Sequence, residues 1–185
     1  GDILLDRSYP EKALKILSEN LDLDFVHADE LYDDLLIGEF VMKPLRIKGH
    51  LTPNIGRGMP YRHQTMAVRK IIYDKVGSFD LKYVTSDYDW TCRWEASLTG
   101  NGGSAYYFQG KPVVKMKGGG VSVTQEWKVM LEAVRIVRTH FPKNIEIKFS
   151  LFKRFILFVG RELLKWLQLG NILSQLKRQK YQNDV

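Results

Sequence analysis

Two aspartates at the start of a predicted helix are the residues best suited to acid–base chemistry in this chain. Ser86 can cap a helix that runs from Asp87 to about Leu98. Asp87 then lies in the first turn, and Asp89 is the second choice. The field at a helix N-terminus favours an ionised carboxylate, the form that accepts a proton from a substrate hydroxyl. An aspartate in a first turn also stabilises its own helix, so the local sequence leaves both roles open.

A histidine and a glycine run supply further groups that can contact a substrate. His63 and Gln64 come just before an apolar stretch whose side chains can face a cleft, although a single histidine is more often structural. Gly119 and Gly120, followed by Ser122, lie between a predicted strand and a predicted helix. Backbone N–H groups in a glycine run can approach a phosphate or a sugar. Such runs are also ordinary turns, so both interpretations remain.

Predicted helices and strands alternate along the chain around these residues. Apolar spacing, proline and glycine predict helices at 9–19, 69–76, 87–98 and 124–140. Short apolar runs predict strands at 24–29, 37–45, 64–68, 105–109 and 113–116, with a loop at 53–60. Gly77 suits the C-terminal end of the second helix. This mixed order of short strands and helices indicates an α/β fold.

Composition limits the class of protein. Hydrophobic residues make up 44% and charged residues 26%, as in a globular domain, and one cysteine excludes an internal disulfide framework. The net charge of +7 is concentrated near the C-terminus, because residues 143–185 hold nine Lys and Arg against three Asp and Glu. We therefore predict a nearly neutral domain at 1–142 and a basic tail at 143–185. Charge confined to a tail does not favour nucleic-acid binding.

Three blocks of sequence, in a fixed order, are more specific than any single motif. Residues 63–80 read His-Gln, a predicted strand, basic residues and then Gly-Ser-Phe-Asp. Residues 85–93 place an acidic motif at a helix start with a trailing arginine, Arg93. Residues 107–122 read strand, proline, strand and Gly-Gly-Val-Ser. Together the blocks resemble family 2 glycosyltransferases, and the resemblance covers roughly residues 9–141.

The resemblance implies a GT-A fold and an inverting transfer of a sugar from a nucleotide-sugar donor to a glycan or lipid-linked acceptor, in cell-surface polysaccharide synthesis. It places the catalytic base on Asp87, with Ser86 where a Glu is more usual. The implied substrate-binding residues are His63, Gln64, Arg93, Gly119, Gly120 and Ser122. The donor-binding half of the GT-A domain is largely missing by the same comparison. A non-catalytic, truncated module that binds a membrane or a partner protein is therefore the alternative.

A metal site is also implied by the resemblance. Nucleotide-sugar transfer leaves a diphosphate, and a divalent cation held by carboxylates, Mg²⁺ or Mn²⁺, neutralises its charge. The family carries an Asp-rich pair just before a helix that here begins at Tyr9 and Pro10. Asp6 stands in the second position of that pair and Leu5 in the first. Asp6 is the predicted metal ligand, and a solvated loop aspartate is the equal alternative.

The basic tail has two faces when it is drawn as a helix over 149–179. One face carries Phe152, Phe155, Ile156, Val159, Leu163, Trp166 and Leu167, and the other carries Arg154, Arg161, Lys165 and Gln168. No uncharged stretch approaches the ~20 residues that a transmembrane helix needs. The pattern predicts a helix on an anionic bilayer, in a cytoplasmic protein bound peripherally to the inner face of the cell membrane. A helix packed against a protein surface is the alternative.

Overall fold

A computed structural model describes residues 2–35, 37–44, 54–98 and 104–182 of the chain. The helices are α1 Tyr9–Glu19, α2 Asn54–Arg57, α3 Lys70–Val76, α4 Ser86–Ser97, α5 Val121–Thr124, α6 Glu126–His140, α7 Ile145–Trp166 and α8 Gly170–Gln182, with a 3₁₀ turn at His63–Thr65. The strands are β1 Ile3–Leu4, β2 Phe25–Ala28, β3 Glu30–Asp34, β4 Gly38–Met42, β5 Ala67–Val68, β6 Ala105–Phe108 and β7 Val114–Lys117. This mixture confirms the predicted α/β class.

The strands form two mixed sheets that meet at one buried residue. One sheet has the order β1-β7-β3-β4, with β3 parallel to β7 and antiparallel to β4. The other has the order β5-β2-β6, with β2 parallel to β6 and antiparallel to β5. The chain passes from β2 to β3 through Asp29, which is buried. Its carbonyl accepts a hydrogen bond from the Val113 N–H at 3.2 Å, and its carboxylate accepts one from the Tyr107 hydroxyl at 2.7 Å.

Strand β2 is the centre of one hydrophobic core. All four of its residues are buried, as expected of a strand that is covered on both faces. Phe25 packs against Tyr61 and Trp94 at ring-centroid distances of 4.9 and 4.8 Å, so α4 covers one face. Helix α1 covers the other face through Ala13 and Leu17. This packing fixes α4, and with it the acidic motif, relative to the sheet.

A second core joins α4, α6 and α7. It contains these buried side chains from the three helices: Cys92, Met130, Ala133, Ile136, Val137, Ile147, Leu151 and Phe158. Helix α7 therefore shares a core with α4. Within the residues that the structure describes, no helix combines the length and the apolar character needed to cross a bilayer.

The two faces of α7 meet different surroundings. The side that lies toward the domain carries the core residues of α7 and also Arg161 and Lys165, which pair with Glu126 at 3.1 and 2.6 Å. Its apolar face is turned outward and leaves these large side chains exposed: Ile145, Phe149, Phe152, Ile156, Val159, Leu163 and Trp166. The tail bends after α7 at Gln168, whose φ is +58°, and continues as α8.

Most predicted elements are present. The helix at 9–19 has the bounds of α1, and the strands at 24–29, 105–109 and 113–116 correspond to β2, β6 and β7. Gly77, with φ +83°, follows α3 as predicted. Strand β4 lies inside the predicted strand at 37–45, of which Ile37–Pro44 belong to the described residues. Pro10 and Gly77 thus mark a helix start and a helix end that the structure contains.

Other elements differ from the prediction. The predicted loop at 53–60 contains α2, where Gly56 lies so close to α7 that a Cβ would sit 2.4 Å from the Ile147 carbonyl oxygen. Thr85 rather than Ser86 occupies the N-cap of α4, and the Thr85 N–H and hydroxyl both donate to Glu132. The 64–68 segment begins in the 3₁₀ turn, and the predicted helix at 124–140 starts as α6 at Glu126. Strand β3 was not predicted.

Candidate active site

Two residues predicted from separate blocks of the sequence lie in contact. The His63 Nδ1 atom is 3.0 Å from the Asp87 Oδ2 atom. The other oxygen of the Asp87 carboxylate accepts a hydrogen bond from the Tyr88 N–H at 2.8 Å. His63 belongs to the 3₁₀ turn and Asp87 to the first turn of α4, so the contact joins two elements.

The 3₁₀ turn that carries His63 is anchored to β2. The Thr65 hydroxyl donates to the Ala28 carbonyl at 3.1 Å and accepts from the Ala28 N–H at 3.0 Å. The Tyr9 hydroxyl of α1 donates to the Thr65 carbonyl at 2.5 Å. These buried hydrogen bonds hold the turn in place, so the position of His63 is set by the core.

Each member of the pair changes the pKa of the other. Burial acts to raise the pKa of Asp87, but the hydrogen bond and the charge of His63 lower it below the ordinary value. Burial acts to lower the pKa of His63, but Asp87, Glu30 and Asp2 raise it above the ordinary value. The proton of the hydrogen bond between the two residues therefore resides on His63, and Asp87 is ionised at neutral pH. That is the protonation state a carboxylate base requires.

Two cavities of about 510 Å³ each adjoin at this pair. Both are lined by Met59, His63 and Asp87. The first cavity also has these residues in its wall: Val84, Thr85, Ser86, Tyr88, Val121 and Arg154. The second also has these: Glu30, Tyr32, Phe40, Gln64, Gly119 and Arg161. A carboxylate shared by two adjoining cavities can face two different groups at once.

The remaining predicted substrate-binding residues are divided between this site and other places. Gln64 lines the second cavity, and its amide nitrogen lies 2.9 Å from the Met116 sulfur. Gly119 lines the same cavity with φ +88°, a backbone conformation that favours glycine. Gly120 occupies the N-cap of α5. The Ser122 side chain lies outside the described part of the structure.

Asp89 and Arg93 form a structural cluster on the far side of α4. Asp89 is buried and pairs with the Arg93 Nε at 2.9 Å and with the His140 Nε2 at 3.1 Å. Arg93 also donates to the carbonyls of Val76 and Ser78. Both residues line a separate cavity of about 400 Å³ that neither His63 nor Asp87 reaches. Their contacts join α4 to α6 and to the end of α3.

Asp6 does not have the surroundings of a metal ligand. Its carboxylate accepts hydrogen bonds from the Ser8 hydroxyl at 2.6 Å, the Lys12 ammonium at 3.0 Å and the Ser8 N–H at 2.9 Å. These bonds lower the pKa of Asp6 to about 2. Across the described ranges there is no group of three or more His, Cys, Asp or Glu side chains able to hold a metal ion. Asp6 instead orders the start of α1.

Glu30 is a site residue that the sequence did not single out. It is 2% exposed, lines the second cavity, and its pKa is raised chiefly by burial. Its Oε2 atom accepts no hydrogen bond from any residue that the structure describes. The sequence signal that could have identified Glu30 is its position directly after a predicted buried strand.

Comparison with models of known protein families gives no match, and comparison with characterised proteins finds none that is significantly similar. The fold and the site define an α/β protein with a histidine–aspartate pair between two cavities.

Proposed function

We propose that this chain is part of an inverting glycosyltransferase with a GT-A type of fold, and that Asp87 is its catalytic base. The contact between His63 and Asp87 carries the proposal, because the two residues come from separate blocks that resemble family 2 glycosyltransferases. The contact also lies where two cavities adjoin. A base that acts between a donor and an acceptor needs such a position.

In the proposed reaction, Asp87 takes the proton of an acceptor hydroxyl while that oxygen attacks the anomeric carbon of the donor sugar. The bond from the anomeric carbon to the diphosphate oxygen breaks on the opposite side. The nucleoside diphosphate leaves with the electron pair, and the configuration of the anomeric carbon inverts. A positioned general base of this kind contributes about 10²–10⁴-fold to a rate.

His63 supports this role in two ways. Its hydrogen bond fixes one oxygen of the Asp87 carboxylate, which leaves the group in one orientation. Its positive charge keeps Asp87 ionised before the reaction, as the lowered pKa of Asp87 indicates. After the transfer, the same charge favours loss of the new proton from Asp87 to solvent.

The second cavity has the chemistry of a sugar subsite. The rings of Tyr32 and Phe40 lie 5.6 Å apart along its wall, and apolar ring faces stack on sugars. Glu30 and Gln64 add polar groups that can bind hydroxyls. We assign the acceptor or donor sugar to this cavity on the basis of these residues.

A divalent cation, Mg²⁺ or Mn²⁺, remains part of the proposal only through the family resemblance. Such a cation would stabilise the charge of the leaving diphosphate when bound. Asp6 does not fit the ligand role, since Ser8 and Lys12 already occupy its carboxylate. No step of the reaction above is assigned to a metal.

The outward face of α7 supports a peripheral position on an anionic membrane, on its cytoplasmic side. Its exposed apolar residues follow one another at alternating steps of four and three residues. Leu157 is also exposed and makes the apolar face wider than the narrow stripe that a single partner helix covers in a coiled coil. Lys148 and Lys153 flank it and are exposed. A broad apolar face with basic flanks is typical of a helix in the headgroup region. A lipid-linked acceptor would then be close to the site.

Release of a nucleoside diphosphate tests the proposal. The chain, and the full-length protein if it is longer, is incubated with a panel of nucleotide sugars and membrane extract as the acceptor source. We expect release to depend on one donor, and the product linkage to have the anomeric configuration opposite to that of the donor by NMR. Absence of release from every donor with the full-length protein would favour the non-catalytic, membrane-binding module instead.

A further inference from the structure

Arg154 is a charged residue of α7 that has no counter-ion among the residues that the structure describes. It lies on the face of the helix that meets the domain and lines the first cavity together with Ser86 and Asp87. Its guanidinium lies over the ring of Tyr88, 5.9 Å from the centroid. Its Nη1 atom is buried and donates to no acceptor among the described residues. No carboxylate of the described residues lies within ion-pair distance of the Arg154 guanidinium.

Three other arginines of the described chain have an acceptor or a counter-ion. Arg161, two turns further along α7, pairs with Glu126 at 3.1 Å. Arg93 pairs with Asp89 at 2.9 Å, and Arg69 donates to the carbonyls of Leu23 and Asn20. Each of these three has at least one acceptor, although the Nε atom of Arg161 is also buried without one; Arg154 is the one of the four with neither a counter-ion nor a hydrogen-bond acceptor among the described residues.

The surroundings of Arg154 disfavour its charge. Burial is the main cause that lowers the pKa of Arg154, and the positive charge of Arg161 lowers it further. The groups that act in the opposite direction are Tyr88 and Cys92, and no carboxylate is among them. Since a guanidinium stays protonated in proteins, an anion that enters the cavity can balance its charge.

We infer that Arg154 binds a phosphate or diphosphate group in the first cavity, beside Asp87. The planar guanidinium presents a fork of N–H donors that matches two phosphate oxygens, and such charge-assisted bonds are strong where water is largely excluded. The phosphate belongs either to a nucleotide or to the link between an acceptor and a lipid. The site does not depend on the proposed sugar transfer, because the buried Nη1 donor of Arg154 lacks an acceptor among the described residues whether or not the chain transfers a sugar.

The position of Arg154 on α7 connects the anion site with the outward face of the helix. Arg154 lies on the side of α7 opposite to Phe152 and Ile156, which are exposed. A helix that rests on a bilayer through these residues holds Arg154 above the lipid surface, at the wall of the cavity. A phosphate attached to a lipid is therefore one of the two sources to be tested.

Calorimetric titration of the full chain with inorganic pyrophosphate tests the anion site. We expect binding by the wild type and a loss of affinity of about tenfold or more in Arg154→Gln, because a charged hydrogen bond is removed. Arg135→Gln is the matched control, since it removes an arginine charge from an exposed position of α6 that is outside both cavities and the outward face of α7. It is expected to bind within about twofold of the wild type. Failure of the wild type to bind pyrophosphate at millimolar concentration overturns the inference, as does equal loss in both variants.

Two further measurements complete the test. The unfolding temperature of each variant is recorded because Arg154 contacts Tyr88, and Arg154→Lys replaces Arg154→Gln if the latter does not fold. The lysine keeps the charge but not the fork, so we expect a smaller but measurable loss of affinity, and unchanged affinity overturns the inference. Competition by uridine diphosphate and by vesicles that contain a long-chain alkyl phosphate then distinguishes a nucleotide source from a lipid source. If Arg154→Gln loses pyrophosphate binding, but neither uridine diphosphate nor the vesicles compete with pyrophosphate in the wild type, the site binds a free anion. That result contradicts both assigned sources.

Discussion

The Nδ1 atom of His63 and the Oδ2 atom of Asp87 are 3.0 Å apart, although one belongs to a 3₁₀ turn and the other to a helix. The turn is held on β2 by the hydrogen bonds of Thr65 to Ala28, and the helix packs on Phe25 of the same strand through Trp94. The contact is thus formed between two elements that are both fixed on β2. Its strength should depend on pH, because both of its members titrate.

We expect His63→Gln to lower the unfolding temperature more at pH 5.5 than at pH 8.5. The contribution of Asp87 is present above the ordinary pKa of 3.8 and disappears as the pH falls through its lowered folded value. The contribution of His63 is present below the ordinary pKa of 6.5 and disappears as the pH rises through its raised folded value. The pair is therefore strongest between about pH 4 and 6.5, and we expect a loss of about 0.5–1 kcal/mol because it is partly solvated. Calorimetry that finds equal losses at the two pH values would contradict this assignment.

Asp89→Asn should destabilise the fold much more than Asp87→Asn does. Removal of the Asp89 charge leaves Arg93 and His140 without their shared carboxylate in a buried position. Breaking a buried ion pair on one side costs about 3–5 kcal/mol. Denaturant unfolding of both variants measures the difference. If Asp87→Asn proves the more destabilising, the division of the acidic motif into a structural residue and a site residue is wrong.

Gly56→Ala should also destabilise the protein, and Gly160→Ala should not. A Cβ at Gly56 would meet the Ile147 carbonyl oxygen at 2.4 Å, so α2 and α7 must move apart, at a cost of about 1–3 kcal/mol. A Cβ at Gly160 meets no atom within 4 Å, and alanine favours a helix by about 1 kcal/mol over glycine. Thermal unfolding should therefore show opposite shifts for these two substitutions. A normal unfolding temperature in Gly56→Ala would show that the helices are not in such close contact.

Substitution on the outward face of α7 should abolish binding to anionic vesicles. Phe152→Glu and Ile156→Glu place charges among exposed apolar residues, which opposes insertion into the headgroup region. Flotation with vesicles of phosphatidylglycerol and phosphatidylcholine measures the effect, and Leu14→Glu, at an exposed apolar position of α1, is the control for added negative charge. Light scattering of the wild type distinguishes a second copy as the partner. If the wild type is a dimer that does not bind vesicles, and the two α7 substitutions dissociate it, the outward face is a dimer interface and the membrane proposal is wrong.

Some of this structure could be predicted from the sequence because its signals are local. Pro10 and Gly77 mark the ends of helices that the structure contains, and apolar runs mark β2, β6 and β7. Helix α2 could not be predicted, since its residues are poor helix formers and it is stabilised by contact with α7 at Gly56. Strand β3 could not be predicted because its acidic residues interrupt the run of apolar side chains that indicates a buried strand.

The candidate site was predicted residue by residue but not as an arrangement. His63 and Asp87 were each identified, yet their contact depends on how α4 packs against β2, which no local pattern contains. The motif ranks Asp87 above Asp89, but it does not show that Asp89 is buried in a cluster with Arg93 and His140. In the tail, the pattern showed two faces of α7 but not that Arg154 lies against the domain.

Sugar transfer by Asp87→Asn tests the central claim most directly. The full-length protein, its Asp87→Asn variant and the control Asp74→Asn are compared with the donor found for the wild type; Asp74 is exposed on α3 and pairs only with Lys70 among the described residues. If Asp87 is the base, its variant should keep the fold and the donor affinity while turnover falls by at least about 10²-fold, and Asp74→Asn should match the wild type. Turnover by Asp87→Asn within a few-fold of the wild type would contradict the account.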